Sequence, residues 1–121
     1  MKKGFTLIEL VIVIVILGIL ATIGMIRYVD LSATAELDAT KASICSMRAA
    51  IAFAYAENAI AGSPGYPVEI VESMFLEGVM PKNQLAPSGN SVVDAYDGTG
   101  GWVYYSSTGS VESNDASRTF M

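Results

Sequence analysis

The apolar residues of this chain are concentrated near its N-terminus. Residues 5–26 form one apolar block, and no charged side chain occurs from Leu10 to Ile26. At about 1.5 Å per residue, a helix of this length reaches roughly 30 Å, the thickness of the hydrocarbon core of a bilayer. A strand this long and apolar on both faces has no partner strands in so short a chain, whereas a helix satisfies its own backbone in lipid. The pattern therefore predicts a membrane-spanning helix over residues 5–27.

The helical pattern continues beyond Arg27 in an amphipathic form. Apolar residues recur at steps of three, four and seven on one face, while charged side chains lie on another. The apolar set is Leu37, Ile44, Met47, Ile51 and Ala54. Gly62, followed closely by Pro64, is typical of a glycine C-cap before a residue that cannot continue a helix. One helix is therefore predicted from Phe5 to Ala61, with residues 28–61 as its amphipathic half.

Residues 62–121 are predicted to form a small β-containing region. Residues 68–76 have the pattern of a short helix or helical turn, and residues 91–96 that of a short strand flanked by turns. The clearest strand is residues 102–105, and after a hairpin-length turn residues 110–113 can return antiparallel to it. So small a region buries little surface alone, so its core must include the amphipathic half of the helix. The expected fold class is α+β, with one long helix packed on a small antiparallel sheet.

Composition narrows the function. The 121 residues include no histidine and one cysteine, which excludes a His/Cys zinc site, a Ser-His-Asp or Cys-His triad, haem or iron–sulfur ligation, and an intrachain disulfide. Enzymes of the common kinds are excluded, and no cofactor is expected. The net charge is −5, and residues 60–121 carry seven acidic side chains against only Lys82 and Arg118. Such a region repels phosphate backbones, so we expect it to bind no nucleic acid.

Glu9 is the one charged side chain inside the apolar block. A carboxylate there costs on the order of 3 kcal/mol on insertion scales, and its usual meaning is that a specific partner pairs with it. The surrounding sequence reads MKKGFTLIEL, in which two lysines precede Gly4 and Phe5. A secretory signal has a shorter apolar core and a small-x-small cleavage site, which residues 19–21 do not provide. A plain membrane anchor leaves Glu9 unexplained.

At these residues the chain resembles the type IV pilin and pseudopilin superfamily, whose class III signal has this KGFTLIEL form. The resemblance implies that residues 1–4 are a leader peptide. It implies that a membrane-embedded aspartyl prepilin peptidase cuts between Gly4 and Phe5 and methylates the new amine of Phe5. It also implies that residues 5–27 become the core of a helical homopolymer, in which Glu9 accepts a charge-assisted contact from the Phe5 amine of a neighbouring subunit.

A subunit of this kind is structural and has no catalytic role. The resemblance implies an inner-membrane precursor that meets the peptidase and the assembly machinery before it enters a filament. The signal is common to the extracellular type IV pilus and to the periplasmic pseudopilus of type II secretion, so both destinations stay open. The alternative from another class is a non-polymerising single-span membrane protein whose acidic outer region binds a protein partner.

Three features remain outside this resemblance. The acidic, amide-rich end contains Asp94 and Asp97 as candidate calcium ligands, but no spacing matches an EF-hand. Solvated loop charges are the favoured interpretation, so no metal site is expected.

Cys45 is interpreted as a small buried apolar side chain of the helix, in preference to an intersubunit disulfide. The aromatic residues of the strand at 102–105 are interpreted as packing residues of the sheet.

Overall fold

The computed structural model of the chain describes residues 3–86 and 89–116. The first two residues of the expected leader and Arg118 lie outside the described residues. The chain divides into two compact units, Met1–Ala35 and Glu36–Met121.

A single helix, α1, extends over Leu7–Ile60 and confirms the predicted long helix. Its C-terminus is closed by a Schellman motif, in which the Ser63 N–H donates to the Asn58 carbonyl (3.0 Å) and the Gly62 N–H to the Ala59 carbonyl (3.1 Å). Gly62 has φ 85°, a left-handed conformation that glycine adopts without steric cost. The predicted glycine C-cap is therefore correct, and the helix ends where the sequence places its end.

Within the unit Glu36–Met121, one face of α1 packs into the core. Ile44, Met47 and Ile51 are 4% exposed or less, at the spacing predicted for the inward face, and Leu37 and Ala54 are half-buried beside them. These side chains cluster with buried residues of the loops and strands. The other buried members of the cluster are Ile70, Met80, Trp102, Tyr104 and Val111. The prediction that the small region builds its core on the helix is confirmed, as is the packing role of Trp102 and Tyr104, whereas Tyr105 is half-buried and lies outside this cluster.

The sheet has three short strands, β1 (Val92–Val93), β2 (Trp102–Tyr105) and β3 (Ser110–Ser113), in the order β1-β2-β3. The pair β2 and β3 forms the predicted antiparallel hairpin, with Tyr105 opposite Ser110. The pair β1 and β2 is parallel, so the sheet is mixed rather than wholly antiparallel.

The parallel pairing follows from the loop that joins β1 to β2. Residues 94–101 carry the chain back so that it enters β2 in the same direction as β1. Gly101 ends this loop at φ 77°, where an added Cβ would collide with the backbone carbonyl of Ser91. Glycine therefore lets the loop return against the start of β1.

Two smaller expectations concern residues 68–76 and Cys45. The pattern at residues 68–76 corresponds to one 3₁₀ turn, Glu72–Met74. Cys45 is exposed, so its interpretation as a buried side chain is wrong. The physical reason is its place on the helix, because at 100° per residue Cys45 lies about 200° around the axis from the buried Met47.

Candidate functional site at the start of the helix

Thr6 and Glu9 form a reciprocal capping box at the N-terminus of α1. The Glu9 Oε2 atom accepts hydrogen bonds from the Thr6 backbone N–H (2.8 Å) and the Thr6 hydroxyl (2.7 Å), and the Glu9 N–H donates to Thr6 Oγ1 (3.3 Å). Thr6 is the N-cap and Glu9 the third helical residue, the arrangement that satisfies two otherwise unpaired backbone N–H groups. The anomalous carboxylate thus has a partner inside its own helix end.

The capping box occupies only one oxygen of this carboxylate. Among the described residues, no hydrogen bond reaches Glu9 Oε1. The side chain is therefore held in place while half of it is available to a cation. Thr6 was not among the predicted functional residues, although the pattern Thr-x-x-Glu before an apolar run was a sufficient signal for the capping box.

Gly4 and Phe5 lie in the non-helical segment that precedes α1. Both are exposed, and the Phe5 side chain is 78% exposed. A Cβ added to Gly4 would have nothing within 4 Å, so the fold of this chain does not itself require glycine there. The peptide bond between the two residues is therefore accessible to another protein. If glycine is required at this position, the requirement comes from the protein that approaches it.

The apolar block of α1 has no cover within the described chain. Every described side chain from Lys3 to Glu36 is exposed, including all the large apolar residues. By length and composition, α1 is able to cross a membrane. A helix that is apolar on all sides is stable only when lipid or other protein surrounds it. The Thr6–Glu9 pair therefore lies at the start of a surface that requires an apolar environment.

The two calcium candidates, Asp94 and Asp97, have different surroundings. Asp97 Oδ1 accepts hydrogen bonds from the Thr99 N–H (3.0 Å), the Thr99 hydroxyl (2.8 Å) and Asn114 Nδ2 (2.7 Å). The Asn114 Oδ1 atom accepts from the N–H groups of Asp97 and Gly98 in return. Asp97 thus fixes the loop that leads into β2, whereas Asp94 lines a separate groove at the edge of the sheet.

These bonds change the acidity of the Asp97 carboxyl. The Thr99 N–H, followed by the Asn114 amide and the Thr99 hydroxyl, lowers the pKa of Asp97 below its ordinary value. A lowered folded-state pKa means that the ionised carboxylate stabilises the loop above the unfolded pKa, and this contribution is lost as the pH falls through the folded pKa. Within residues 3–86 and 89–116, no three His, Cys, Asp or Glu side chains group closely enough to hold a metal ion.

Chelation is therefore expected to leave the thermal stability unchanged. A calcium site filled at a hundred times its dissociation constant would contribute about 2.7 kcal/mol, and its loss would lower the melting temperature by roughly 10 °C for a unit of this size. Melting curves of the full chain in detergent, with EDTA and with added calcium, make the measurement. A large drop with EDTA that calcium reverses would contradict the expectation.

Comparisons with known proteins concern the same N-terminal residues and most of the remaining chain. Residues 1–25 match the family described as the prokaryotic N-terminal methylation motif. A fimbrial protein of Pseudomonas aeruginosa is 34% identical over 104 residues, which cover 81% of this chain and 64% of that relative. A type IV narrow pilus major component of Thermus thermophilus is 52% identical over 52 residues, 43% of this chain and 45% of the relative. The chain thus spans somewhat less than two thirds of the fimbrial relative. No solved structure matches the chain significantly.

Proposed function

Because the chain belongs to the type IV pilin family, we propose that it is the structural subunit of a type IV pilus-like filament, matured by a prepilin peptidase and polymerised through α1. The observation that carries the proposal is the half-occupied carboxylate of Glu9 at the start of an uncovered apolar helix. A monomeric membrane protein would use only the capped half of this carboxylate. A polymer of parallel helices uses both parts of it.

The same apolar block suits both environments of such a subunit, which are the membrane and the filament. Before assembly, lipid covers residues 5–27, and after extraction the same helices of other copies cover them instead. Because lipid tails are as apolar as these side chains, exchange of lipid for neighbouring helices changes the apolar contacts little. Direction and register must then come from a polar contact. Glu9 is the one charged side chain in the block that can provide it.

The partner proposed for Glu9 is the Phe5 amine of a neighbouring subunit. An unpaired carboxylate in an apolar core costs several kcal/mol, so polymer contacts that supply a cation are favoured over those that do not. Glu9 Oε2 is held by Thr6, and Oε1 is directed to no other group in the described chain, so an incoming ammonium group can bind without breaking the capping box. Thr6 acts here as a positioning residue.

Processing creates that amine. In the precursor the nitrogen of Phe5 is part of the peptide bond to Gly4 and carries no charge, so the proposed pairing becomes available only after the cut. The order of events is therefore built into the chemistry. Membrane insertion precedes the cut, and the cut precedes docking.

The filament subunit is accordingly expected to begin at Phe5 with a methylated amine. Intact-mass measurement of purified filaments should give the mass of residues 5–121 plus one methyl group. Peptide sequencing of the first fragment identifies the methylated atom. A filament subunit that retains Met1 would contradict the expected cut.

The names of the relatives favour a pilus over a pseudopilus. Both are named as pilus or fimbrial proteins, so we propose an inner-membrane precursor and a cell-surface filament. Cells that express this chain as their sole pilin should release filaments when they are sheared. These filaments should be visible by electron microscopy and labelled by an antibody to this chain. Labelled filaments confined to the periplasm would indicate a type II secretion pseudopilus. Processed subunit in the membrane without any filament would indicate a non-polymerising membrane protein.

A further inference from the structure

The sheet has an incomplete edge beside β1. This strand is the outermost of the three, so its outer side has no strand partner among the described residues. A groove of about 440 Å³ lies at this place. Two chain segments, residues 68–70 and 92–94, border it, together with Tyr104 and Ser106. Exposed edges of this kind are where an additional strand can pair.

One wall of the groove, formed by residues 68–70, is held against the sheet by a hydrogen bond. The groove therefore exists before any ligand binds. The Tyr104 hydroxyl donates to the Pro67 carbonyl (2.7 Å), which ties the wall to the sheet. Burial, with a further effect of Tyr66, raises the pKa of Tyr104. The ring of Tyr66 packs on that of Tyr55 with centroids 4.9 Å apart. A groove fixed in this way binds a segment without first ordering its own wall.

The chemistry of the groove is apolar within and acidic outside. Ile70 and Tyr104 are buried side chains, and Val92 is half-buried. The exposed carboxylates of Glu69 and Asp94 come from the two opposite segments, and neither forms a hydrogen bond or an ion pair within the described part of the chain. Of the residues that the structure describes, no lysine or arginine lines the groove. Two unpaired carboxylates beside an apolar surface complement a cation that is flanked by aliphatic groups.

We propose that this groove binds an extended peptide segment of a partner protein, in which a lysine or arginine lies between aliphatic residues. The segment adds as a strand at the outer edge of β1. Its alternating side chains reach the apolar interior, and its cation reaches Glu69 and Asp94. A second copy of this chain is a poorer occupant, because residues 60–121 carry seven acidic and only two basic side chains. The proposal is independent of polymerisation.

The probe is a fluorescein-labelled peptide, acetyl-Val-Lys-Val-Lys-Val amide, titrated with the full chain in a non-ionic detergent and followed by fluorescence polarisation. The double variant Glu69→Gln/Asp94→Asn should weaken binding about tenfold, because it removes two exposed charge contacts. The matched control Glu72→Gln/Glu77→Gln removes two exposed charges away from the groove and should change the dissociation constant less than about twofold. Near-UV circular dichroism establishes that both variants keep the fold.

Two altered peptides test the binding mode. Replacement of both lysines by glutamate should weaken binding at least tenfold if the rim carboxylates select a cation. Methylation of alternate peptide nitrogens should weaken it by a similar factor if the segment pairs as a strand. Equal binding of either altered peptide would overturn the proposal. So would an equal loss in the two double variants, displacement of the peptide by calcium, or self-association of the chain that the groove variant abolishes.

Discussion

A Glu9→Leu subunit is expected to enter the membrane and to be cut at Gly4–Phe5 at normal levels, yet to yield almost no filament. Removal of the carboxylate makes the helix more apolar, so insertion is unchanged or favoured by up to about 3 kcal/mol. Docking loses its polar contact entirely. At several kcal/mol for a charge pair in an apolar core, the loss corresponds to a reduction in subunit addition of a hundredfold or more.

The Phe5 amine is the cation proposed for this contact because the alternatives are far away or are removed. The proposed cut would remove the two lysines that precede Gly4. Arg27 lies about 18 residues, or roughly 27 Å, farther along the helix. Apart from the new amine, no positive group of the mature N-terminal segment lies near the start of α1.

Two further variants distinguish pairing from a general loss of helix stability. Glu9→Asp keeps the charge on a shorter arm and should give a partial defect. Thr6→Val keeps the charge but removes the hydroxyl that bonds Oε2, at a cost of about 1 kcal/mol to the helix end, and should also give a partial defect. If pairing is the cause, the order of assembly is wild type, then these two, then Glu9→Leu.

The assay follows processed subunit in the membrane and sheared filament from the same cells. Wild-type subunits must be absent, because copolymerisation would mask the defect. Normal filament yield from Glu9→Leu alone would show that the pairing role is wrong. A failure of processing in that variant would instead indicate that the peptidase recognises Glu9.

Features of the fold that depend on neighbouring residues were predictable from the sequence. The end of α1 at Gly62 rests on hydrogen bonds to residues three to five positions earlier. The hairpin of β2 and β3 needs only a short turn, and the inward face at Ile44, Met47 and Ile51 follows from helical spacing. The capping box at Thr6 belongs to the same local class, because the pattern Thr-x-x-Glu before an apolar run is enough to encode it.

Features that depend on distant residues were not predictable in the same way. The direction of β1 is decided by how residues 94–101 close against Ser91, which no local pattern encodes. Cys45 was assigned to the interior because free cysteine is often buried, whereas its helical position places it on the outer side. The buried amides are a further example, since a single asparagine in a loop gives no sign of the three segments that it joins.

Asn83 is such an amide, and Asn83→Ala is expected to produce a large loss of stability. Its side chain is fully buried. Nδ2 donates to the Gly101 carbonyl (2.8 Å) and to Ser113 Oγ (2.7 Å), and Oδ1 accepts from the Leu85 N–H (3.0 Å). The residue thereby joins its own loop to the start of β2 and the end of β3.

Alanine removes these three bonds, together with the longer one from the Thr40 hydroxyl to Oδ1 (3.5 Å), and leaves a cavity where the amide was. At about 1 kcal/mol for each hydrogen bond, the free energy of unfolding should fall by roughly 3 kcal/mol, and the melting temperature by more than about 10 °C. Near-UV circular dichroism of the full chain in detergent follows the unfolding through the buried Trp102. Asn90→Ala is the matched control, since this asparagine is exposed, and it should shift the melting temperature by less than about 2 °C.

Asn83→Asp separates the hydrogen bonds from the cavity, because it keeps the volume and the acceptor oxygen. At neutral pH it places a carboxylate against the Gly101 carbonyl, where the amide donated, so it should destabilise as much as alanine does. Burial beside that carbonyl favours the protonated acid, which raises the folded-state pKa of the new carboxyl. The stability relative to wild type should therefore recover below the unfolded pKa of about 4 and fall as the pH rises through the folded value. Near-wild-type melting of this variant at pH 7 would mean that the amide donors contribute little and that the cavity alone explains the alanine result.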